Sequence, residues 1–487
     1  MIDIQYKIHD NYSVEFKIGF VVRQAIRDNY FKVNTWMFVP NSLDINPGTY
    51  GKDLFYRDVK SNVRLITPVY LLKDIVDNSA EPYLKLKDAI ELMISSPIRK
   101  NVSDFVHQIK MFMAIVKSAI RNETNYILST NLETDLGFLC NSYLQDMKNV
   151  IRRYRDLWPL INVPVLNEEV KSHFSFGDEY LSQIVNIYSL RVMKKIRLID
   201  NKILGKMYGE LSAFLNEELK YREGKYYPYI DMFDAKKNQQ VLFRHGLLKK
   251  YIESDLYLKL DQKDGNLAVT QILYSIAAGL AMIFATIVSF SFQKKYGSYS
   301  IPLFVALVVS YMLKDRIKEV MRYFFVHKLK NKYFDYKSDI NIKDSNVGWI
   351  KEGVDFITDE KTPEKVLKLR NRSTLLQAEN DIFAEKIILY RKEVYLNQKK
   401  LSEHYGYRSS GINDIIRLHV SRMTQKMDDP EIPIDSVDEN GEIYTVNGLK
   451  VYNLNLIMQL QYDGEVEYRG FRIVMSRNGI SDIMELT

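Results

Sequence analysis

Cysteine occurs once in the 487 residues, at Cys140, so no internal disulfide can form, which fits a reducing compartment. Its context, Leu139-Cys140-Asn141, offers no basic neighbour to lower the thiol pKa, and it reads as a packed thiol, not a nucleophile. Histidine is sparse too. The seven, at 9, 107, 173, 245, 327, 404 and 419, include no pair at i, i+3 or i+4, so zinc-finger and metalloprotease spacings are missing and no metal site is expected. His9-Asp10 reads as a polar turn. The first ten residues mix charged and apolar side chains and lack the apolar run of a cleavable signal.

Catalytic motifs are equally scarce. No G-x-S-x-G elbow occurs. Gly48-Thr49-Tyr50-Gly51-Lys52 has two residues between its glycines where a phosphate loop needs four, and Asp53 stands where a magnesium-holding hydroxyl belongs, so the segment reads as a surface turn. Ser436 to Asn447 carries Asp438, Asn440 and Gly441 at calcium-loop offsets, yet it ends on Asn447 where a bidentate acid is required, and it reads as a hairpin turn. No cofactor is implied. Enzymatic activity is left open, since a site assembled from distant residues leaves no linear trace.

What is present begins in mid-chain. Leu267 to Phe292 is a run of 26 residues without a charge, long enough to cross a ~30 Å hydrocarbon core at 1.5 Å per residue. After Lys294, Lys295 and Gly297, a second uncharged run, 296–313, supplies 18 more, at the lower limit for a span. The pair reads as a transmembrane helical hairpin over 266–313, in preference to a buried hairpin in a soluble core. Small residues recur every four positions, Ala277, Ala281, Ala285 and Ser289 on the first helix and Pro302, Ala306 and Ser310 on the second, a spacing that lets backbones approach in lipid. Neither span contains Asp, Glu, Lys, Arg or His, which disfavours an ion pathway.

Basic residues set the orientation. Lys249, Lys250, Lys259 and Lys263 precede the first span, and Lys314, Arg316, Lys318, Arg322, Lys328, Lys330 and Lys332 follow the second, so both large flanks and both termini are expected in the cytoplasm, with headgroup contacts from Lys314, Arg316, Lys318 and Arg322. The expected location is the plasma or inner membrane, with the lipid bilayer as partner.

The rest reads as an α+β protein. Residues 1–80 alternate as strands (Ile2, Ile4, Tyr6, Ile8; Val14, Phe16, Ile18, Phe20) and predict a small N-terminal sheet of four or five strands. From 81 to 265 the period becomes helical, with one stripe from Leu181 to Phe214 that predicts a long helix in an elongated bundle, weakened at Gly205 and Gly209. That stripe is also a candidate seam for a protein partner or homo-oligomer. A basic juxtamembrane helix is predicted over 314–334 and a mixed α/β region over 335–430. Within the latter, Thr362-Pro363-Glu364 can start a helix, Ile387 to Leu396 can form a strand, and a helix is predicted from Ile412 to about Met427. Residues 431–487 carry Asn440-Gly441, Asn447-Gly448, Asp463-Gly464 and Asn478-Gly479 between short alternating runs, predicting an antiparallel β-meander of about four strands.

Two basic rows, Lys148/Arg152/Arg155 and His419/Arg422/Lys426, have the spacing of phosphate-contacting helix faces, but acidic neighbours dilute both, and nucleic acid is not expected as a partner. The leading expectation is a membrane-anchored, non-enzymatic protein with cytoplasmic interaction or sensing domains. The alternatives are a membrane-tethered enzyme of nuclease or hydrolase type and an oligomeric membrane-perturbing effector.

Overall fold

The structure, a computed structural model, describes every residue except 24, 76, 78, 266, 298, 330–333, 343–344, 406, 408–410 and 487. Lys330 and Lys332 of the basic flank therefore lie outside the described residues. The chain divides into a sheet unit (Met1–Arg64, Leu258–Gly406 and Ser410–Thr487) and a helical unit (Leu65–Tyr257 with Tyr407–Ser409).

Strands β1 (Ile2–Asp10), β2 (Ser13–Val21) and β3 (Asp28–Val39) open the chain, followed by α1 (Lys52–Asp58) and β4 (Val59–Leu65). Helices α2 (Glu81–Ser95), α3 (Arg99–Ser129), α4 (Glu133–Arg155), α5 (Trp158–Ile161), α6 (Glu168–Ile196), α7 (Lys202–Gly224) and α8 (Ala235–Glu253) come next. Then β5 (Lys259–Asp264) leads into α9 (Leu267–Tyr296) and α10 (Ile301–Leu329), followed by β6 (Tyr336–Ile342), β7 (Ser345–Ile357), α11 (Glu364–Arg370) and α12 (Thr374–Ile382). The chain ends with β8 (Lys386–Asn397), α13 (Gln398–Tyr405), β9 (Gly411–His419), α14 (Ser421–Thr424), β10 (Glu431–Val437), β11 (Ile443–Leu449), β12 (Tyr452–Tyr462), β13 (Glu465–Ser476) and β14 (Gly479–Leu486).

The fold is mixed α+β, with a β-rich N-terminal region, a helical bundle and C-terminal antiparallel strands. The N-terminal strands do not form a sheet of their own. A four-stranded sheet has the order β1-β2-β9-β4, and an eight-stranded sheet has the order β14-β13-β12-β3-β8-β7-β6-β5. β3 is central in the eight-stranded order, and its partners come from the far end of the sequence: Trp36 lies opposite Leu389 on β8 and Ile457 on β12. The two sheets pack face to face through Phe20 against Phe31 (5.3 Å between ring centroids) and Phe471 against Tyr6 (5.0 Å) and Phe16 (5.3 Å). On the other face of the eight-stranded sheet, Trp36, Phe38, Ile387 and Ile457 pack under Val366 of α11.

Several expectations are corrected. The segment from Ile412 is strand β9, not a helix; its apolar residues fit either period, and pairing with β2 from Ile412↔Phe20 to Leu418↔Val14 decides it. His419, Arg422 and Lys426 therefore form no helical row. The C-terminal strands are a three-stranded meander, β12-β13-β14, and a separate exposed hairpin, β10-β11. Asn447-Gly448 is not a turn. It lies within β11, where Gly448 faces Ile432 and a Cβ would come within 2.5 Å of Ile434 Cδ1, so the glycine serves close approach. At Asp463-Gly464, by contrast, both residues have positive φ (52° and 81°) and form the β12–β13 turn.

In the helical unit the long stripe is two helices, and the break falls between α6 and α7, where the Asn201 side chain caps Ile203 N–H; Gly205 and Gly209 lie inside α7. The bundle core stacks Tyr154 on Phe174 (4.3 Å, 3° between planes) and near Phe112 (5.9 Å). Gly177 makes room for that stack, since a Cβ there would lie 2.3 Å from Tyr154 Oη.

Candidate functional site

The helical hairpin and the edge of the sheet from which it grows are the most distinctive feature of the sheet unit. α9 and α10 pack antiparallel with small residues between them. Ala277 and Ala281 are buried on α9, Leu303, Ala306 and Ser310 are buried on α10, and Ser310 Oγ donates to the Ala285 carbonyl at 3.4 Å. Ala285 and Ser289 are partly buried, and Pro302 is exposed outside the seam at the start of α10. Large apolar side chains point outward instead: Ile272, Met282, Ile283, Ile287 and Phe290 on α9, and Phe304, Val305 and Met312 on α10, are all more than half exposed.

Of these helices one, Gln271–Tyr296, is long and apolar enough to cross a membrane. The second run falls short for a structural reason: α9 extends to Tyr296 and α10 begins only at Ile301, so the uncharged part of α10, Ile301–Leu313, is 13 residues, or ~20 Å. No separate juxtamembrane helix follows, because α10 continues unbroken to Leu329. The register sets Arg322 over the ring of Tyr274 (4.9 Å) and Ser310 beside Ala285. Lys314, Arg316, Lys318 and Arg322 thus run alongside the first half of α9; Lys314 lies 4.0 Å from the Tyr311 ring and Arg322 pairs with Glu319 at 3.1 Å.

At its base the helical hairpin replaces the loop of a β-hairpin. β5 and β6 pair antiparallel, Leu260↔Ile340, Gln262↔Ser338 and Asp264↔Tyr336, and Gly265 N–H donates to the Asp335 carbonyl at 2.9 Å. A Cβ at Gly265 would lie 2.6 Å from the Phe334 carbonyl oxygen, so this crossing requires glycine. Asp335 is fixed in turn by Lys52 (2.8 Å), Tyr56 Oη–H (3.0 Å) and the Val354 N–H (2.8 Å).

Between the two sheets, next to β5 and β6, lies a polar cavity of about 460 Å³ walled by Tyr56, Ser61, Gln262, Tyr336, Ser338, Glu352 and Tyr390, with Asp53 and Arg57 toward solvent. Behind it Lys392, 1% exposed, bridges Glu352 (3.0 Å) and Asp414, which also accepts from Ser61 Oγ–H. Burial opposes the charge on Lys392, but Asp414 and Glu352 outweigh it and hold its pKa above the usual range. Burial likewise opposes ionisation of Glu352, and Lys392 prevails, so the carboxyl is held down. Burial, aided by Glu352 for Tyr390 and by Asp335 for Tyr56, pushes both phenols up. These shifted groups keep fixed protonation states near neutral pH. Such a cavity can bind through hydrogen bonds, but the shifts do not poise Lys392, Glu352, Tyr56 or Tyr390 to exchange protons.

The remaining candidates are absorbed by structure. Lys52 pairs with Asp335 and Asp355 (3.2 Å), and the turn before it is held by Asn46 Oδ1 accepting from the Gly48 and Thr49 N–H groups at 2.9 and 3.1 Å. Arg155 turns into the bundle, meeting Asp178 at 2.9 Å and Glu218 through two bonds of 2.8 and 2.9 Å over the Tyr221 ring at 3.5 Å, so the Lys148/Arg152/Arg155 row presents no common phosphate-binding face. Cys140 is buried, and burial pushes its thiol up to about 11. Among the described residues no cluster of three or more His, Cys, Asp or Glu could hold a metal ion. Sequence reading missed the Glu352–Lys392–Asp414 triad. The available signal was parity: Lys392 shares the inward-facing register of Ile388, Tyr390, Val394 and Leu396. No known protein family, curated protein or solved structure matches the chain.

Proposed function

We propose that the protein is a membrane-anchored sensing or interaction module, in which α9 and α10 enter the bilayer as a helical hairpin and the two folded units lie in the cytoplasm with both termini. The observation that carries this reading is the outward display of large apolar side chains along α9, with only 11% of its most apolar window buried, on a helix without Asp, Glu, Lys, Arg or His before Lys294. Water is a poor solvent for that surface. Lys294 and Lys295 at the tip and Lys314 and Arg316 below bracket the short uncharged part of α10, and snorkelling at both ends extends its reach toward the ~30 Å of hydrocarbon. Headgroup contacts then fall to Lys314, Arg316, Lys318 and Arg322, on the plasma or inner membrane as the natural site. The β5–β6 ladder supplies the coupling, since both feet of the anchor continue directly into an edge of the eight-stranded sheet.

The test is extraction of membranes from expressing cells at alkaline pH, combined with accessibility of single cysteines placed at Tyr299 and at both termini in a Cys140→Ser background. The reading expects protein in the pellet until detergent is added, with the termini labelled from the cytoplasm and residue 299 not. Release into the supernatant without detergent would overturn it.

A further inference from the structure

A second cavity of about 280 Å³ lies on the outer face of the eight-stranded sheet, between the α11–α12 segment and the start of β12. Residues of its wall carry N–H donors that lack acceptors and are covered from solvent. Arg370, 4% exposed, gives Nη2 to Glu385 at 2.7 Å, while its Nε and Nη1 have no hydrogen-bond partner among the described residues. Asn455, fully buried, accepts from Arg472 Nε at 3.1 Å through Oδ1, which fixes the amide orientation and leaves Nδ2 without a partner. Arg472 has no ion pair among the described residues, whereas Arg372 is committed to Asp359 (3.0 Å) and Glu385 (3.0 Å). A buried donor left without an acceptor is destabilising, more so on a guanidinium, so the wall is stabilised by whatever brings acceptors to it.

We propose that this cavity binds the phosphoryl group of a small phosphate ester. The unpaired donors call for a ligand rich in acceptors, which excludes amines. They come from three side chains on separate strands and helices, so a tetrahedral group with three terminal oxygens meets them better than a planar carboxylate with two. Leu376 and Phe383, exposed at the rim, offer apolar and ring surface to the organic part of the ester. The volume, at the lower end for ligand pockets, suits a sugar phosphate or a nucleoside monophosphate and not a polymer. The side chains of Arg370 and Asn455 shift toward the ligand on binding, since their unpaired nitrogens are covered in the empty cavity.

The test is thermal unfolding and calorimetric titration of the full chain in detergent, with inorganic phosphate, a nucleoside monophosphate, the unphosphorylated nucleoside and acetate at matched ionic strength. Phosphate is expected to stabilise the protein, the monophosphate to do so at lower concentration, and nucleoside and acetate to have no effect. Arg472→Gln and Asn455→Leu are expected to fold and to weaken binding by ~10-fold or more, as loss of a charge-assisted hydrogen bond predicts. Equal stabilisation by acetate, no response to phosphate, or the same affinity in both variants would overturn the assignment. The membrane reading is untouched by any of these outcomes.

Discussion

Lys392 shows how much one residue can hold. Two carboxylates, Glu352 and Asp414, are buried against it, and removing the ammonium leaves both without a counter-charge. Lys392→Met is expected to destabilise the sheet unit by ~3–5 kcal/mol, the usual cost of stranding a buried charge, read as a lowered denaturant midpoint. Arg155→Met tests the same principle in the helical unit, where Asp178 and Glu218 lose their partner, with a loss of similar size. Glu123 shifts in the opposite sense: burial, reinforced by Asp146, raises its carboxyl from 4.5 to about 7. Between those values the folded protein retains a proton that the unfolded chain has released, so stability falls as pH rises through that window. Glu123→Gln should flatten this slope and add ~1 kcal/mol at pH 8, the group being only partly shielded from water. Denaturant titrations of both proteins at pH 5 and pH 8 check it.

At the scale of elements, close packing explains what pattern alone does not. Gly177 sits where a methyl group would meet the Tyr154 hydroxyl, so Gly177→Ala should cost ~1–3 kcal/mol despite improving helix propensity, a difference readable in thermal unfolding. Much of the local structure was legible: the β1 and β2 alternation, the β8 strand, the bundle helices and the Asp463-Gly464 turn follow from period and turn chemistry. What was not legible is non-local. The run from Ile412 carries apolar residues at 412, 415, 416 and 418, a spacing that suits a helix, and only strand β2, some four hundred residues earlier, makes it a strand. The second apolar run looked longer than it is because little in the sequence beyond Gly297, with φ of 77°, marks the start of α10 as late as Ile301. Neither cavity could be seen at all. Asn455 and Arg472 face each other across the β12–β13 hairpin, but Arg370 is remote from both in the chain, and only the folded sheet unit brings it to them.

At the scale of the molecule, the helical hairpin is an insertion into an otherwise complete β-hairpin. Replacing residues 266–334 with a short Asn-Gly turn should leave the β5–β6 register intact, because its ladder runs from Lys259↔Asn341 to Asp264↔Tyr336 without help from the helices. The expected product is a monodisperse, water-soluble protein with unchanged strand content by circular dichroism. Aggregation with loss of strand signal would show instead that the helices are part of the folding core.

The central position of β3 has a consequence for synthesis. Both of its neighbours, β8 and β12, are encoded more than three hundred residues downstream, so when α9 and α10 leave the ribosome the eight-stranded sheet has almost none of its ladder. If α9 and α10 enter a bilayer as proposed, they do so before the sheet can close, and β1 to β4 must stay unaggregated throughout the intervening translation. A nascent chain of this design depends on holding chaperones for its first strands far more than for its last.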